Sequence, residues 1–260
     1  MKCLRKILPY YFEKTLFGDR RKHGIKFQSD DKDWLEWNQR NEELYLQTGR
    51  ESIIHNTILN SGYKVLEKQK ISGNLLEIGP GFIPHLSFWD YSKINNYTLL
   101  DSRKNNIEIS SKILNKKKII NDSILGNTPE SLADIKDNSL DCILAFNTLE
   151  HLLNIELYLI QFLRILKADG LLIGSIPTEG GLAWGTGRFF TTYQWFRKHT
   201  NIDFYKIICW EHVNFSEEII SLLNKKMKNV HEEYFPFRIP LIDLNLSYNF
   251  VFKKYITNDQ

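Results

Sequence analysis

The sequence predicts an α/β fold: an open, mostly parallel sheet with helices on both faces. A helical extension precedes it, and an insertion follows the fifth strand. Three observations lead there. From residue 75 to residue 176, short apolar runs alternate with helical patterns, the rhythm of strands joined by crossovers. The first run ends in an acid and turns through two glycines, Leu75-Leu76-Glu77-Ile78-Gly79-Pro80-Gly81. Two late strand patterns, 230–237 and 246–253, are joined by a connection holding Pro236 and Pro240. It is too short for a crossover helix, so the pair should run antiparallel.

The elements follow in order. Residues 1–26 mix bulky apolar and basic side chains, the composition of a helix lying on a surface. Residues 34–70 carry Trp34, Trp37, Leu44 and Leu46, then Ile53, Ile54, Ile58 and Leu59, at helical spacing, with Gly62 as a break. Residues 75–78 are apolar without alternation, as in a strand buried on both faces. Pro84 suits the first turn of a following helix that Leu86, Phe88 and Trp89 would pack. Strands are expected at 97–100, 118–121, 140–146 and 171–176, with helices at 104–114 and 158–166. Lys167-Ala168-Asp169-Gly170 reads as a helix stop. A last helix, 216–227, would take Ser216 as its N-cap, with Glu217 and Glu218 in the first turn. The division is thus an N-terminal helical extension over 1–70 and a sheet domain over 71–260, with an insertion at 178–214.

The 260 residues suffice for one substantial core. Net charge is +3, too little for a global field that would collect nucleic acid. That charge is unevenly spread: residues 1–26 hold eight basic against two acidic side chains, leaving the remainder at −3. Cys3, Cys142 and Cys209 stand far apart, without metal-ligand spacing, and fit a reduced compartment. No apolar run reaches the ~20 residues of a membrane span. A cytoplasmic protein is expected, with peripheral contact at the inner membrane surface open to residues 1–26.

The glycine turn has the chemistry of a nucleoside pocket. Gly79 and Gly81 let the backbone approach a ligand. Asp101 ends the second apolar run, where it can accept from ribose hydroxyls, and Asp122 after the third could receive an adenine amino group. A dinucleotide site would want a third glycine where Pro84 stands, and Glu77 would set a negative charge near the pyrophosphate. Both oppose a nicotinamide cofactor. An acid there suits a cationic nucleoside without phosphate, namely S-adenosylmethionine.

These residues resemble a class I S-adenosylmethionine-dependent methyltransferase of the type 11-like group, over roughly residues 75–255. The resemblance rests on the glycine turn and on Asp101. It rests also on Ser139-Leu140-Asp141-Cys142-Ile143-Leu144-Ala145-Phe146-Asn147 with Leu149-Glu150-His151-Leu152, and on Leu163-Arg164-Ile165-Leu166-Lys167-Ala168-Asp169-Gly170-Leu171-Leu172. Ile83 departs from it, standing where the family often has a third glycine. The resemblance implies a Rossmann-like sheet of seven strands with an antiparallel last strand. It implies that Glu77, Gly79 and Gly81 contact the methionine part, that Asp101 holds the ribose and Asp122 the adenine, and that Asn147 lies near the transferred methyl. Pro80, Ser102 and Ser123 complete the candidate cofactor set.

The insertion begins Glu179-Gly180-Gly181-Leu182-Ala183-Trp184-Gly185 and then carries a dense aromatic set from Phe189 to Trp210. Such a segment builds its own small core while turning some rings toward the pocket. Methyl transfer to a hydroxyl gains from a base, and the candidates are Glu150, His151, Glu179 and His212. No metal constellation emerges. The helical extension, the Glu179-Gly180-Gly181 loop and Trp210-Glu211-His212 are similar to bacterial methyltransferases of surface-polysaccharide assembly, which implies a small-molecule or glycan acceptor; methylation at oxygen is expected. A binding scaffold without catalysis is the alternative from another class. Nucleic acid is not expected: Asn147-Thr148-Leu149-Glu150 lacks the Asn/Asp-Pro-Pro-aromatic tetrad.

Overall fold

The computed structural model of the chain describes residues 3–44 and 53–255. Leu46, expected in a helix, and Lys2 of the basic arm lie outside them. The extension begins with a 3-10 turn, Leu4–Ile7, then α1 (Tyr10–Phe17), α2 (Arg20–His23), α3 (Lys32–Leu44) and α4 (Ile53–Tyr63). Short polar side chains start two of these helices. Asp19 accepts from Lys22 N ahead of α2, and Asp31 accepts from Asp33 N and Trp34 N ahead of α3.

The sheet follows as β1 (Gly73–Ile78), β2 (Ile94–Asp101), β3 (Asn121–Leu125), β4 (Leu140–Phe146), β5 (Leu166–Pro177), β6 (Lys228–Phe235) and β7 (Ser247–Lys253). Its order is β3-β2-β1-β4-β5-β7-β6. The first five strands pair parallel, and β7 runs antiparallel to both β5 and β6. This is the expected seven-stranded sheet with an antiparallel last strand. The remaining helices are α5 (Lys104–Lys116), α6 (Ile155–Ile165), α7 (Leu182–Phe190), α8 (Thr192–His199), α9 (Phe204–Glu211) and α10 (Ser216–Lys226).

Two cores sandwich the sheet. On one face, Tyr158 and Phe162 of α6 and Ile219 and Leu223 of α10 meet Ile143, Leu172 and Phe250. On the other, Tyr63, Leu66, Trp89 and Leu114 meet Leu75, Leu99, Leu144 and Val251. A third core is separate: Trp195, Phe196, Ile202, Phe204 and Ile207 of the insertion close around Trp37 of α3. Most of the insertion's aromatic mass is therefore spent on holding the insertion to the extension.

Four local expectations change. The third strand lies at 121–125, not 118–121; Lys118 has a left-handed backbone (φ 59°), which cannot continue a strand. After β1 there is only a 3-10 turn, Pro84–Ser87, because Leu86 and Trp89 reach the core from an irregular path. The expected helix stop at 167–170 is a bulge inside β5, with Asp169 at φ 67° and a register shift against β4. Ser216 is the first residue of α10, preceded by Phe215 as N-cap. Its hydroxyl donates to Glu179 O at 2.9 Å.

Candidate functional site

The carboxyl ends of β1, β2, β4 and β5 converge on one edge. At the end of β1, Gly79 (φ 64°) and Gly81 (φ 54°) are both left-handed, a conformation that L side chains adopt at a cost. The two glycines do different work. A β-carbon on Gly79 would lie 2.6 Å from Thr148 Oγ1, so this glycine lets β1 and the β4 turn meet. A β-carbon on Gly81 would meet nothing within 4 Å, so Gly81 borders open space. Ile83, β-branched and buried, also sits at φ 42°. Such a residue stores local strain of roughly 1–3 kcal/mol beside the loop.

Asp101 closes β2 in the adjacent position, with Ser102 exposed after it. Its carboxylate accepts from Arg103 N at 2.8 Å and from Asn106 Nδ2 at 3.1 Å, which fixes its rotamer at the edge. Arg103 in turn donates to Asn41 Oδ1 of α3 at 3.4 Å. Asn41 is 2% exposed and its Nδ2 has no partner among the described residues, so a buried donor sits beside the Asp101 turn.

Three cofactor candidates stand elsewhere than expected. Glu77 is 2% exposed and faces inward. It accepts from Tyr97 Oη at 2.5 Å and lies 3.6 Å from His85 Nδ1. Burial pushes its carboxyl up to about 8, with the Tyr97 bond opposing, and burial drops His85 to about 3. Glu77 thus makes its side-chain contacts to Tyr97 and His85 within the fold. Asp122 pairs in register with Thr98, three residues before Asp101 on β2, or roughly 10 Å back from the edge. It is exposed and accepts from Asn96 Nδ2 at 2.8 Å. Ser123 is its exposed neighbour on the same strand. The shift of β3 causes both displacements, and it brings Leu125, Gly126 and Asn127 to the edge instead. Gly126 N donates to Asp101 O at 3.0 Å.

At the end of β4, Asn147 is left-handed (φ 50°) and its N–H donates to Ser175 O at 2.7 Å, tying β4 to β5. Thr148 Oγ1 donates toward Ile78 O at 3.0 Å, and His151 N donates to Thr148 O at 3.0 Å. A backbone relay therefore links the glycine turn to the catalytic candidates.

Those four candidates form one cluster. Glu179, two residues past β5, is 1% exposed. Arg188 of α7 binds it through both guanidinium nitrogens, at 2.8 Å on Oε1 and through a shorter contact on Oε2. Trp184 Nε1 donates to Oε2 at 3.1 Å, and His212 Nδ1 meets the same oxygen at 2.6 Å. Burial alone would raise this carboxyl, but Arg188 and then His212 outweigh it and hold it well below the ordinary range. A buried carboxylate is tolerable only when paired in this way. Because that oxygen accepts, His212 Nδ1 carries the hydrogen.

The ring of His151 stands edge-on to His212, centroids 4.8 Å apart. His151 Nδ1 donates to Glu211 O at 2.6 Å, and its Nε2 lies 3.7 Å from Glu150 Oε1. Glu150 is buried and its Oε2 lacks a partner among the described residues; burial lifts its carboxyl to about 7, with His151 opposing.

The extension braces this cluster from outside. Arg20 donates to His212 O at 2.6 Å and to Val213 O at 3.1 Å. Arg188 donates to Leu16 O at 2.8 Å, and Trp37 Nε1 donates to Glu211 Oε1 at 2.5 Å. Sequence reading missed Arg188, Trp184, Arg20 and Trp37. A guanidinium nine residues from an acid was the one available signal, and it required knowing that α7 turns back over Glu179.

Comparison with known proteins agrees with this layout. Residues 76–174 match the family model described as a methyltransferase domain. No curated protein matches the chain in sequence. Among solved structures, N-methyltransferase NodS from Bradyrhizobium japonicum, in complex with S-adenosyl-L-homocysteine, aligns with a TM-score of 0.56 at 13% identity, covering 85% of this chain and 98% of its own. A putative methyltransferase from Bacillus halodurans gives 0.55 at 9%, covering 77% of this chain and 100% of its own. A SAM-dependent methyltransferase from Aquifex aeolicus gives 0.52 at 12%, covering 82% and 98%. At these identities the likeness is one of fold. The match over residues 76–174, set in a seven-stranded sheet with its antiparallel β7, identifies a methyltransferase domain in this chain.

Proposed function

We propose that the chain methylates a hydroxyl of a small-molecule or glycan acceptor, with His212 as the general base. The observation that carries this reading is the Glu179–His212 pair, held by Arg188 at the edge where β4 and β5 end. When bound, S-adenosylmethionine supplies an electrophilic methyl on a sulfonium that leaves as neutral thioether.

The residues present fit that cofactor without a phosphate site. Gly81 leaves open space, the Asp101 carboxylate can accept from two hydroxyls, and the Asn41 amide is an unspent donor close by. Asn147 stands at the end of β4, and Pro80 and Ser102 flank the turn. The acceptor would lie between this pocket and the histidine pair. His212 Nε2 takes the acceptor's proton as the oxygen bonds to the methyl carbon. Glu179 holds the ring in the required tautomer and steadies the imidazolium that forms, the orienting role of an acid behind a histidine. His151 backs that ring and keeps it from turning away. Positioning supplies the rest of the rate.

Transfer of labelled methyl from S-adenosylmethionine into a cell extract, fractionated into glycan, small molecule, lipid, protein and nucleic acid, tests the reading. Label in the glycan or small-molecule fraction that vanishes with His212→Ala supports it. Label only in protein or nucleic acid contradicts the acceptor class, and undiminished transfer by His212→Ala removes the base.

A further inference from the structure

The extension presents a face that methyl transfer does not use. Ile7, Tyr11 and Phe12 are 77%, 67% and 56% exposed, and Leu4, Pro9 and Tyr10 continue the same exposed run. So much contiguous apolar surface marks a contact site. Lys6, Arg21 and Lys22 are exposed around it. Lys14 Nζ lies 5.4 Å from the Tyr10 ring centre and 5.5 Å from that of Tyr11, and the Arg21 guanidinium 4.7 Å from Tyr10. The segment's two acids are turned to internal partners: Glu13 to Arg5 at 3.4 Å and Arg21 at 3.7 Å, Asp19 to Tyr10 Oη and Lys22 N. Lys6 and Lys22 approach Glu217 at 3.8 Å and Asp203 at 3.9 Å yet stay exposed, so the outward character of the face is apolar and cationic.

This face is fixed to the domain. Arg5 pairs with Glu217 at 2.5 Å, Cys3 Sγ donates to Gly180 O at 3.2 Å, and Leu4 N donates to Asp243 Oδ2 at 3.0 Å. Its ordering cost is already met by folding, so an exposed anchor here binds with its full apolar gain. The same segment reaches the candidate site through Leu16 O to Arg188 and Arg20 to His212 O.

We propose that residues 4–12, ringed by Lys6, Lys14, Arg21 and Lys22, dock the enzyme on an anionic lipid bilayer. Tyrosine rings beside cations suit the headgroup layer, and apolar side chains at such a face enter it by roughly 5–10 Å. No described helix is long and apolar enough to cross a membrane, so the contact is interfacial. A second copy fits the face less well. A two-fold pair would press the same patch, drawn from a segment eight basic to two acidic, against itself. The proposal stands apart from the methyl-transfer reading, since cofactor affinity tests one and lipid binding the other.

The test is co-sedimentation of the full chain with vesicles of phosphatidylcholine, with and without phosphatidylglycerol. Two variants accompany it, one combining Ile7→Ser, Tyr11→Ser and Phe12→Ser, the other Lys6→Gln, Arg21→Gln and Lys22→Gln. Retained S-adenosylhomocysteine affinity shows that each is folded. The wild type should bind only the anionic vesicles, more weakly as salt rises. The apolar variant should lose at least about tenfold, and the basic variant about a hundredfold, at roughly fivefold per cation. Absence of wild-type binding, or undiminished binding by either variant, overturns the proposal. So does a wild-type dimer in ultracentrifugation that the apolar variant abolishes, which would assign the face to a second copy.

Discussion

His212 and Glu179, 33 residues apart in sequence, meet at 2.6 Å through Nδ1 and Oε2, and Arg188 holds the same carboxylate from the other side. The arrangement separates two roles for the acid. Arg188 makes a buried negative charge tolerable, and the remaining acceptor capacity orients the imidazole.

That separation makes the variants distinguishable. His212→Ala should lower kcat by about 10²–10⁴ while S-adenosylhomocysteine affinity stays as in the wild type. Glu179→Gln should lower kcat less and destabilise the fold, because it leaves the buried Arg188 facing an amide. Single-turnover transfer, calorimetry and denaturant unfolding read the three quantities separately.

Asp101→Ala should weaken cofactor binding by about 1.5–3 kcal/mol, the worth of hydrogen bonds to a charged acceptor. Asp101→Asn, which keeps one acceptor oxygen, should fall between. Calorimetric titration with S-adenosylhomocysteine checks both, and unchanged affinity in the alanine variant would remove Asp101 from the site.

The two glycines should fail differently. Gly79→Ala adds the Thr148 collision to a left-handed backbone and should cost well above the roughly 1–2 kcal/mol of the conformation alone. Gly81→Ala should cost only that backbone term, yet lose more in cofactor affinity than in stability, since its methyl enters open space. Urea unfolding beside calorimetry resolves the pair.

Glu77 predicts a pH dependence of stability. Its folded carboxyl titrates at about 8, above its ordinary value, so between about 4.5 and 8 the folded chain holds a proton that the unfolded chain gives up. The stability it contributes is full below that window and is lost as pH rises through it. Glu150, raised to about 7, adds to the same slope. Glu179 acts with the opposite sign: its carboxyl is held low, so its contribution is lost only as acid protonates it. Unfolding midpoints at pH 6 and pH 8 should differ in the wild type and differ less in Glu77→Gln, which still accepts from Tyr97 and leaves the Glu150 share of the slope in place.

The sequence by itself determined what depends on local pattern. Unbroken apolar runs marked β1, β2, β4 and the latter part of β5, because a strand buried on both faces has no polar side. Gly79 and Gly81 marked the turn, because left-handed backbone favours that residue, and a connection too short for a helix made the late pair antiparallel. It also supplied all four acid and histidine candidates that the fold gathers. Tertiary structure alone decided their meaning. Whether Glu77 faces ligand or core depends on Tyr97 and His85 reaching it across β2 and the turn, and burial then sets its proton. Asp122 lost its place at the edge because β3 began three residues later than its apolar letters suggest, a choice made by pairing with β2. His212 meets Glu179 because α8 and α9 fold back around Trp37 while α7 brings Arg188 onto the acid, contacts between distant segments that no local window contains.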